Sequence, residues 1–258
     1  MNYIGIDIGS TCAKTVVLNE KKEIIQEFVQ PTGWSSVDTA EEIHQKLQLA
    51  GINLSDDSSC CVATGYGRIS VPYADKTVTE ITCHALGAVH LFQQPDLTVI
   101  DIGGQDTKII QIEQGFVKDF IMNDKCAAGT GRFLEVMANT LSLRPNEMFD
   151  LARLGSDTTI SSMCTVFAES EVIGLIGKGE PKENIAYVVV NSTIRKVAAQ
   201  VSRMNGEMFT FCLTGGLCEC DYIREALSKE LGKDVFSCPD ARYAGAIGAA
   251  LSAMKVRR

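Results

Sequence analysis

The residues with the clearest chemical potential are two aspartates, each at the end of an apolar stretch and directly before a glycine-containing turn. Asp7 precedes Ile8-Gly9-Ser10-Thr11, and Asp101 precedes Ile102-Gly103-Gly104-Gln105. Small residues in such turns let backbone N–H groups approach phosphate oxygens. A carboxylate beside phosphates can hold Mg²⁺, which binds one or two carboxylates and keeps several waters. The pattern predicts a nucleotide site with Asp7, Asp101 and Gln105 as candidate catalytic residues.

Other residues of these turns supply candidate phosphate and nucleoside contacts. Lys14 follows the first turn on the predicted return strand, and a third turn, Leu213-Thr214-Gly215-Gly216, follows the apolar run 209–212. Glycines in the third turn would let adenine and ribose approach the backbone. One such turn could be an ordinary β-turn, but three together indicate a nucleotide site. The candidate nucleotide contacts are Ser10, Thr11, Cys12, Ala13, Lys14, Gly103, Gly104, Gly215 and Gly216.

The ten cysteines of the chain form the second group of potentially reactive residues. The sequence contains no secretion signal and no apolar run of about 20 residues that could span a membrane, so we expect a cytoplasmic protein with reduced thiols. The formal net charge of −8 argues against nucleic acid or an anionic membrane as a partner. Cys12, Cys83 and Cys212 have apolar or small neighbours and are predicted to be buried hydrophobic residues.

Metal or redox chemistry is the remaining interpretation for the other cysteines. Cys126 and Cys164 are far apart in the sequence, and their spacing alone leaves both a structural and a ligand role open. Cys218-Glu219-Cys220 is a rival metal motif, although it lacks a second pair at the usual zinc spacing. The histidines show no ligand grouping and are predicted to be solvated or packed in the core; they are His44, His84 and His90.

A repeated strand pattern must position these residues. The segments 3–9 and 15–18 predict one β-hairpin, and the segments 97–102 and 107–112 predict a second. This internal duplication predicts an α/β fold with two sheet-centred lobes and a nucleotide cleft between them. We expect residues 1–93, completed by the helix 243–258, to form the N-terminal lobe, and 94–242 the C-terminal lobe. Helical spacing predicts helices over 38–50, 79–92, 131–141, 183–203 and 245–254.

The motifs resemble those of the actin-like ATPase superfamily, whose lobes are ribonuclease-H-like. Residues 7–11 and 101–104 resemble its two phosphate motifs, and 213–216 its adenosine motif. The segments 123–134 and 162–171 are similar to those of 2-hydroxyacyl-CoA dehydratase activators and related benzoyl-CoA reductase ATPase subunits, the BadF/BadG/BcrA/BcrD type. Gln105 also fits this branch, because the related sugar kinases usually carry Thr at that position.

The resemblance implies that Cys126 and Cys164 bind a [4Fe–4S] cluster across a homodimer interface. A two-fold axis would double two thiolates to the four that such a cluster commonly takes. We also expect the helix after Cys126 to point its N-terminus at the cluster, with N–H groups near Gly129 and Gly131 reaching the sulfurs.

The same resemblance implies ATP or ADP with Mg²⁺ as further cofactors. The implied function is ATP-dependent one-electron transfer to a 2-hydroxyacyl-CoA dehydratase or related reductase, with ferredoxin or flavodoxin as reductant. Two alternatives remain open. A small-molecule kinase would use Asp101 as a base and contain no iron, whereas a nucleotide-gated binding module without redox chemistry would not require Cys126 or Cys164.

Overall fold

The computed structural model describes residues 1–54, 57–156, 158, 160, 165–206 and 209–256. Cys164, one of the two predicted cluster ligands, lies outside these residues. The chain divides into two compact units. The first comprises Met1–Leu97, Ile110–Lys118 and Asp240–Arg258, and the second comprises Thr98–Ile109 and Asp119–Pro239.

The described residues form strands and helices in a mixed α/β order. The strands are β1 (Asn2–Ile8), β2 (Cys12–Leu18), β3 (Ile24–Pro31), β4 (Ser59–Thr64), β5 (Lys76–Thr77), β6 (Leu97–Ile102), β7 (Thr107–Glu113), β8 (Phe116–Asn123), β9 (Thr210–Gly215) and β10 (Val235–Phe236). The helices are α1 (Ser36–Leu49), α2 (Glu80–Phe92), α3 (Gly131–Thr140), α4 (Pro145–Ala152), α5 (Thr165–Gly177), α6 (Lys182–Val201), α7 (Asp221–Leu231) and α8 (Ala244–Ala253). All five predicted helices are present, with ends within two residues of the prediction.

The strands form two five-stranded sheets, ordered β3-β2-β1-β4-β5 and β10-β9-β6-β7-β8. In the first sheet, β1 is antiparallel to β2 and parallel to β4, so that Asp7 lies opposite Lys14 on one side and Thr64 on the other. The two predicted hairpins are therefore β1–β2 and β6–β7, and each candidate aspartate lies at the carboxyl end of a buried strand. Among the described residues, no helix is both long and apolar enough to cross a membrane.

Three glycines let α8 pack unusually close to α2 and β1. A Cβ atom at Gly5 would overlap the carbonyl oxygen of Ala246, and one at Gly87 would overlap that of Ala244. A Cβ atom at Gly248 would overlap the carbonyl oxygen of Cys83. Because backbone atoms cannot move aside as a flexible side chain can, each of these positions requires glycine.

We expect the substitution Gly248→Ala to lower the free energy of unfolding by about 3 kcal/mol, since overpacking a tight contact typically costs that much. Urea denaturation followed by circular dichroism measures this change. The control is Lys229→Ala, an exposed position of α7 where the substitution adds no atoms. It is expected to change stability by at most about 0.5 kcal/mol. Equal stability of the two variants would contradict the close packing of α8.

Candidate functional site

The first candidate phosphate turn is closed by backbone hydrogen bonds and exposed at its tip. The N–H of Gly9 donates to the carbonyl of Cys12 at 3.1 Å. Thr32 braces the turn, because its hydroxyl donates to the Gly9 carbonyl at 2.7 Å and its N–H to the Thr11 carbonyl at 3.0 Å. Ser10 and Thr11 themselves lie exposed. Hydrogen bonds thus fix the base of the turn, and the residues at its tip are exposed.

The second candidate turn repeats the first in the second unit. The N–H of Gly103 donates to the carbonyl of Asp106 at 2.9 Å, as Gly9 does to Cys12. Gly104 is half-buried and Gln105 is exposed at the tip. The two turns therefore share one backbone design, which is the local basis of the duplication inferred from the sequence.

A glycine with positive φ lies against each candidate aspartate. Gly65 follows β4 with φ +83°, and a Cβ there would overlap the Asp7 carboxylate and the Ile8 carbonyl. Gly215 ends β9 with φ +85°, and a Cβ there would crowd the Asp101 carboxylate and the Ile102 carbonyl. Thr64-Gly65 is thus the counterpart of Thr214-Gly215. Only Thr214-Gly215 was predicted as part of the site. In contrast, a Cβ at Gly216 would meet no heavy atom within 4 Å.

Buried donors hold the Asp101 carboxylate. The hydroxyl of Thr214 donates to its Oδ1 at 2.8 Å, and Nζ of Lys108 lies 3.3 Å from its Oδ2. Lys108, whose exposure is 1%, also donates to Oδ1 of Asp106 at 2.8 Å. Lys108 was not among the predicted site residues, although it follows Asp101 at the same interval at which Lys14 follows Asp7.

The surroundings of Asp7 differ from those of Asp101. Nε2 of His84, a buried residue of α2, lies 4.0 Å from Oδ2 of Asp7 and 3.9 Å from Oε1 of Glu80. His84 was predicted only as a solvated or core residue, and its place beside a candidate catalytic carboxylate follows from the packing of α2. Lys14 is buried opposite Asp7, and no ion pair of Lys14 occurs within the described ranges.

Hydrogen bonds order the loop that carries Cys126. Cys126 is half-buried, and the side-chain amide of Asn123 donates to the carbonyls of Cys126 at 2.9 Å and Ala128 at 3.1 Å. Both the N–H and the hydroxyl of Thr130 donate to the carbonyl of Ala127. These bonds fix the backbone on both sides of Cys126, which is itself half-buried.

Three hydrogen bonds join this loop to the second turn. The first N–H groups of α3, those of Gly131 and Arg132, donate to the carbonyls of Gly103 at 2.9 Å and Gly104 at 2.8 Å. The hydroxyl of Thr107 donates to the carbonyl of Gly129 at 2.6 Å. The N–H of Gly131 is thus bound to the turn, and the expectation that N–H groups near Gly129 and Gly131 reach cluster sulfurs stays a prediction.

Three of the other cysteines that the sequence singled out are buried, namely Cys83, Cys212 and Cys218. Cys83 and Cys212 are fully buried as predicted, and burial raises the pKa of each thiol to about 12. Cys12 is half-buried at the start of β2, so the prediction of a buried residue was wrong there. Cys218 is buried, and burial also raises the pKa of Cys220. Within the part of the chain that the structure describes, no three or more His, Cys, Asp or Glu side chains form a group suited to a metal ion.

Comparison with known proteins gives matches over nearly the whole chain. The family model for the BadF/BadG/BcrA/BcrD ATPase family matches residues 4–253. The (R)-2-hydroxyglutaryl-CoA dehydratase activating ATPase of Acidaminococcus fermentans is 43% identical over 257 residues, which cover 98% of this chain and 96% of that protein. The activator of lactoyl-CoA dehydratase of Anaerotignum propionicum is 40% identical over 255 residues, covering 98% and 97%.

A solved structure agrees with these sequence matches. The activator of the 2-hydroxyisocaproyl-CoA dehydratase from Clostridium difficile, solved with bound ADPNP, is similar at a TM-score of 0.89 with 34% sequence identity. The match covers 100% of this chain and 99% of that structure. Together with the two five-stranded sheets, this similarity confirms the predicted α/β fold class of the actin-like ATPases.

Proposed function

Because the chain belongs to the BadF/BadG/BcrA/BcrD ATPase family, as its motifs predicted, we propose that it is an ATP-dependent activator of a 2-hydroxyacyl-CoA dehydratase or a related reductase. The activators among its relatives support this role. The observation that carries the proposal is the hydrogen-bonded connection from Gly103, Gly104 and Thr107 to the Cys126 loop. Through it, a nucleotide-dependent movement of the second turn would reach the thiol directly.

We propose that both aspartate turns contribute to binding of Mg²⁺ and ATP. The oxygens of Asp101 already accept contacts from Thr214 and Lys108, which suits a carboxylate that meets a hydrated Mg²⁺ through the ion's waters. Lys14, which has no ion pair in the described ranges, is the cation of the first turn that can meet a phosphate. Gln105, exposed at the tip of the second turn, is the candidate for orienting the attacking water.

The remaining candidate contacts surround these groups. The exposed tip of the first turn would meet the phosphates through the hydroxyls of Ser10 and Thr11 and the backbone of Cys12 and Ala13. The open space beside Gly216 suits the approach of a nucleoside, whereas Gly215 is required mainly by its contact with β6.

The Cys126 loop suits one end of a shared cluster. We propose that Cys126 and Cys164 of two copies of the chain supply the four thiolates of a [4Fe–4S] cluster. When bound, such a cluster accepts and passes on one electron. The half-buried Cys126 and the fixed loop backbone fit this role, because hydrogen bonds already hold the loop that would carry the ligand. We propose ferredoxin or flavodoxin as the reductant and the cytoplasm as the location.

The surface of α5, which directly follows the Cys164 segment, supports the homodimer. Phe167, Ile173 and Ile176 are 65%, 56% and 45% exposed, although a helix with so many apolar residues is normally covered. A second copy of the chain would remove these side chains from water. We therefore propose that α5 belongs to the homodimer interface.

Iron and sulfide content of the anaerobically purified protein tests the proposed function, together with its oligomeric state and ATP-dependent reduction of an added dehydratase. We expect a brown dimer with about four irons. The variant Cys126→Ala is expected to lose the iron and electron transfer but to keep ATP binding. A colourless, iron-free protein after anaerobic reconstitution would reject the activator function. ATP turnover that then required a sugar or an acid would instead support the small-molecule kinase.

We expect Thr107→Val to weaken the coupling between nucleotide and cluster without weakening ATP binding. The substitution keeps the shape of the buried side chain and removes the donor to Gly129, a loss that corresponds to as much as a tenfold effect. The measurement is the rate of iron removal by a chelator with and without ATP. In the wild type ATP is expected to change this rate, and in Thr107→Val the change is expected to shrink up to tenfold.

Two variants control this experiment. Thr107→Ser keeps the hydroxyl and is expected to preserve the ATP effect. Thr98→Val removes a buried hydroxyl of β6 that has no hydrogen-bond partner among the described residues, so it is also expected to preserve it. An ATP effect in Thr107→Val as large as in these controls would show that the bond to Gly129 does not transmit the nucleotide state.

A further inference from the structure

We propose that a cavity between the end of β8 and the C-terminal half of α6 binds a small oxyanion carrying two negative charges. The cavity has a volume of about 140 Å³ and lies in the second unit. Its polar lining consists of Asn123, Lys196, Gln200 and Arg203, and its apolar lining includes Ile121 and Met122. None of the lining residues belongs to the nucleotide turns, so the proposal does not depend on the proposed activator role.

The charged side chains that line the cavity favour a negatively charged ligand. Lys196 and Arg203 are cationic, and none of the lining residues is acidic. No ion pair that involves Lys196 or Arg203 occurs within the described ranges, so their charges are not neutralised by a neighbouring carboxylate there. In a chain with a net charge of −8, a cavity with two cations and no acid is a local exception that favours binding of an anion.

Gln200 points to a ligand independently of the charges. Its side chain is only 4% exposed, and neither its amide nitrogen nor its amide oxygen has a hydrogen-bond partner among the described residues. An unsatisfied buried amide is costly, and buried polar groups are nearly always hydrogen-bonded. A bound oxyanion would accept a hydrogen bond from the amide nitrogen of Gln200 and remove the part of the cost that belongs to that donor.

The helix periodicity brings these groups together. Lys196, Gln200 and Arg203 follow one another at intervals of four and three residues, which places them along one side of α6 and its C-terminal continuation. The C-terminal end of a helix carries a partial negative charge and repels an anion. The free energy of this repulsion is smaller than that of one charge-assisted hydrogen bond. The cavity volume suits a phosphate ion or a short dicarboxylate, and both share the required oxygen acceptors.

The cavity adjoins the Cys126 loop. Asn123, which lines the cavity, holds the carbonyls of Cys126 and Ala128 through its side-chain amide. Lys196 packs against Gly129, because a Cβ at Gly129 would lie 2.8 Å from Cγ of Lys196. An anion bound here would therefore contact two residues that support the cysteine loop.

Isothermal titration calorimetry of the complete, anaerobically purified protein tests the site. The nucleotide site is first saturated with ADPNP, so that added phosphate cannot bind there. Inorganic phosphate and succinate are titrated separately, with sodium chloride as the control for ionic strength. Saturable binding of either probe is expected, and the two titrations distinguish a phosphate site from a dicarboxylate site. Absence of saturable binding with both probes would overturn the proposal.

Variants locate the binding. Arg203→Gln and Lys196→Gln are each expected to weaken affinity about tenfold, which is 1.4 kcal/mol, because each removes one charged donor. Gln200→Met keeps the side-chain length and is expected to weaken affinity without loss of thermal stability, since it removes an unsatisfied amide. The matched control is Arg195→Gln, an exposed arginine of α6 that does not line this cavity. If Arg195→Gln weakened affinity as much as Arg203→Gln, the binding would be general charge attraction and the site would be rejected.

Discussion

Replacing Asp101 with asparagine is expected to lower ATP turnover at least about 100-fold, the scale of loss seen when one charge-stabilising group is removed from an active site. Asparagine keeps an oxygen that can accept the hydrogen bond from Thr214, and Lys108 keeps its ion pair with Asp106, so the turn should stay folded. What disappears is the negative charge that faces Lys108 and, in the proposed site, the hydrated Mg²⁺. The measurement is phosphate release at saturating ATP, with circular dichroism to verify folding.

Asp96→Asn provides the matched control for this experiment. Asp96 also accepts a hydrogen bond through Oδ1, from the N–H of Gln114 at 2.7 Å, but it lies at the opposite end of β6. Asparagine preserves that bond, and turnover is expected to remain at the wild-type level. If Asp101→Asn turned over ATP as fast as Asp96→Asn, Asp101 would not belong to the catalytic machinery.

The local parts of the fold were predictable because they depend on patterns within a few residues. Apolar alternation located β1, β6 and β7, and the spacing of apolar residues located α1 and α6. Two missed helices also carried local signals. Pro145 at the first position of α4 with Glu147 after it, and Gly232 in the left-handed conformation after α7, are ordinary helix boundaries.

The contacts that connect the site could not be predicted in the same way. Thr107 and Gly129 are 22 positions apart, and their hydrogen bond depends on how the Cys126 loop returns to the turn. His84 likewise meets Asp7 only because α2 packs beside α8, which itself packs on β1. Such pairs arise from tertiary packing, for which a single sequence carries no periodic signal.

Lys108 is an intermediate case. A local sequence signal marked its position, but its ion pairs could not be predicted from that signal. The interval from Asp101 to Lys108 matches that from Asp7 to Lys14 and identifies the two lysines as counterparts. Their roles nevertheless differ. Lys108 contacts two carboxylates, whereas Lys14 has no ion pair in the described ranges. The two counterparts thus share a position but differ in their contacts, and in the proposed site it is Lys14 that would meet phosphate.

Lys108→Met should therefore destabilise the protein by about 3–5 kcal/mol, the usual cost of removing one partner from a buried ion pair. Methionine fills a similar volume but leaves the carboxylates of Asp101 and Asp106 without their shared ammonium group. Urea denaturation followed by circular dichroism measures the change. Lys118→Met is the control, because Lys118 forms its ion pair with Glu113 at the surface and such pairs contribute at most about 1 kcal/mol.

A double substitution separates the loss of charge pairing from a loss of packing. If the lost ion pairs cause the destabilisation, adding Asp106→Asn to Lys108→Met should recover part of the lost stability, because one of the two carboxylates that lost the ammonium group is neutralised. If poor packing of methionine is the cause, the second substitution should recover nothing. A Lys108→Met variant as stable as Lys118→Met would mean that the buried ammonium group does not hold the second turn in place.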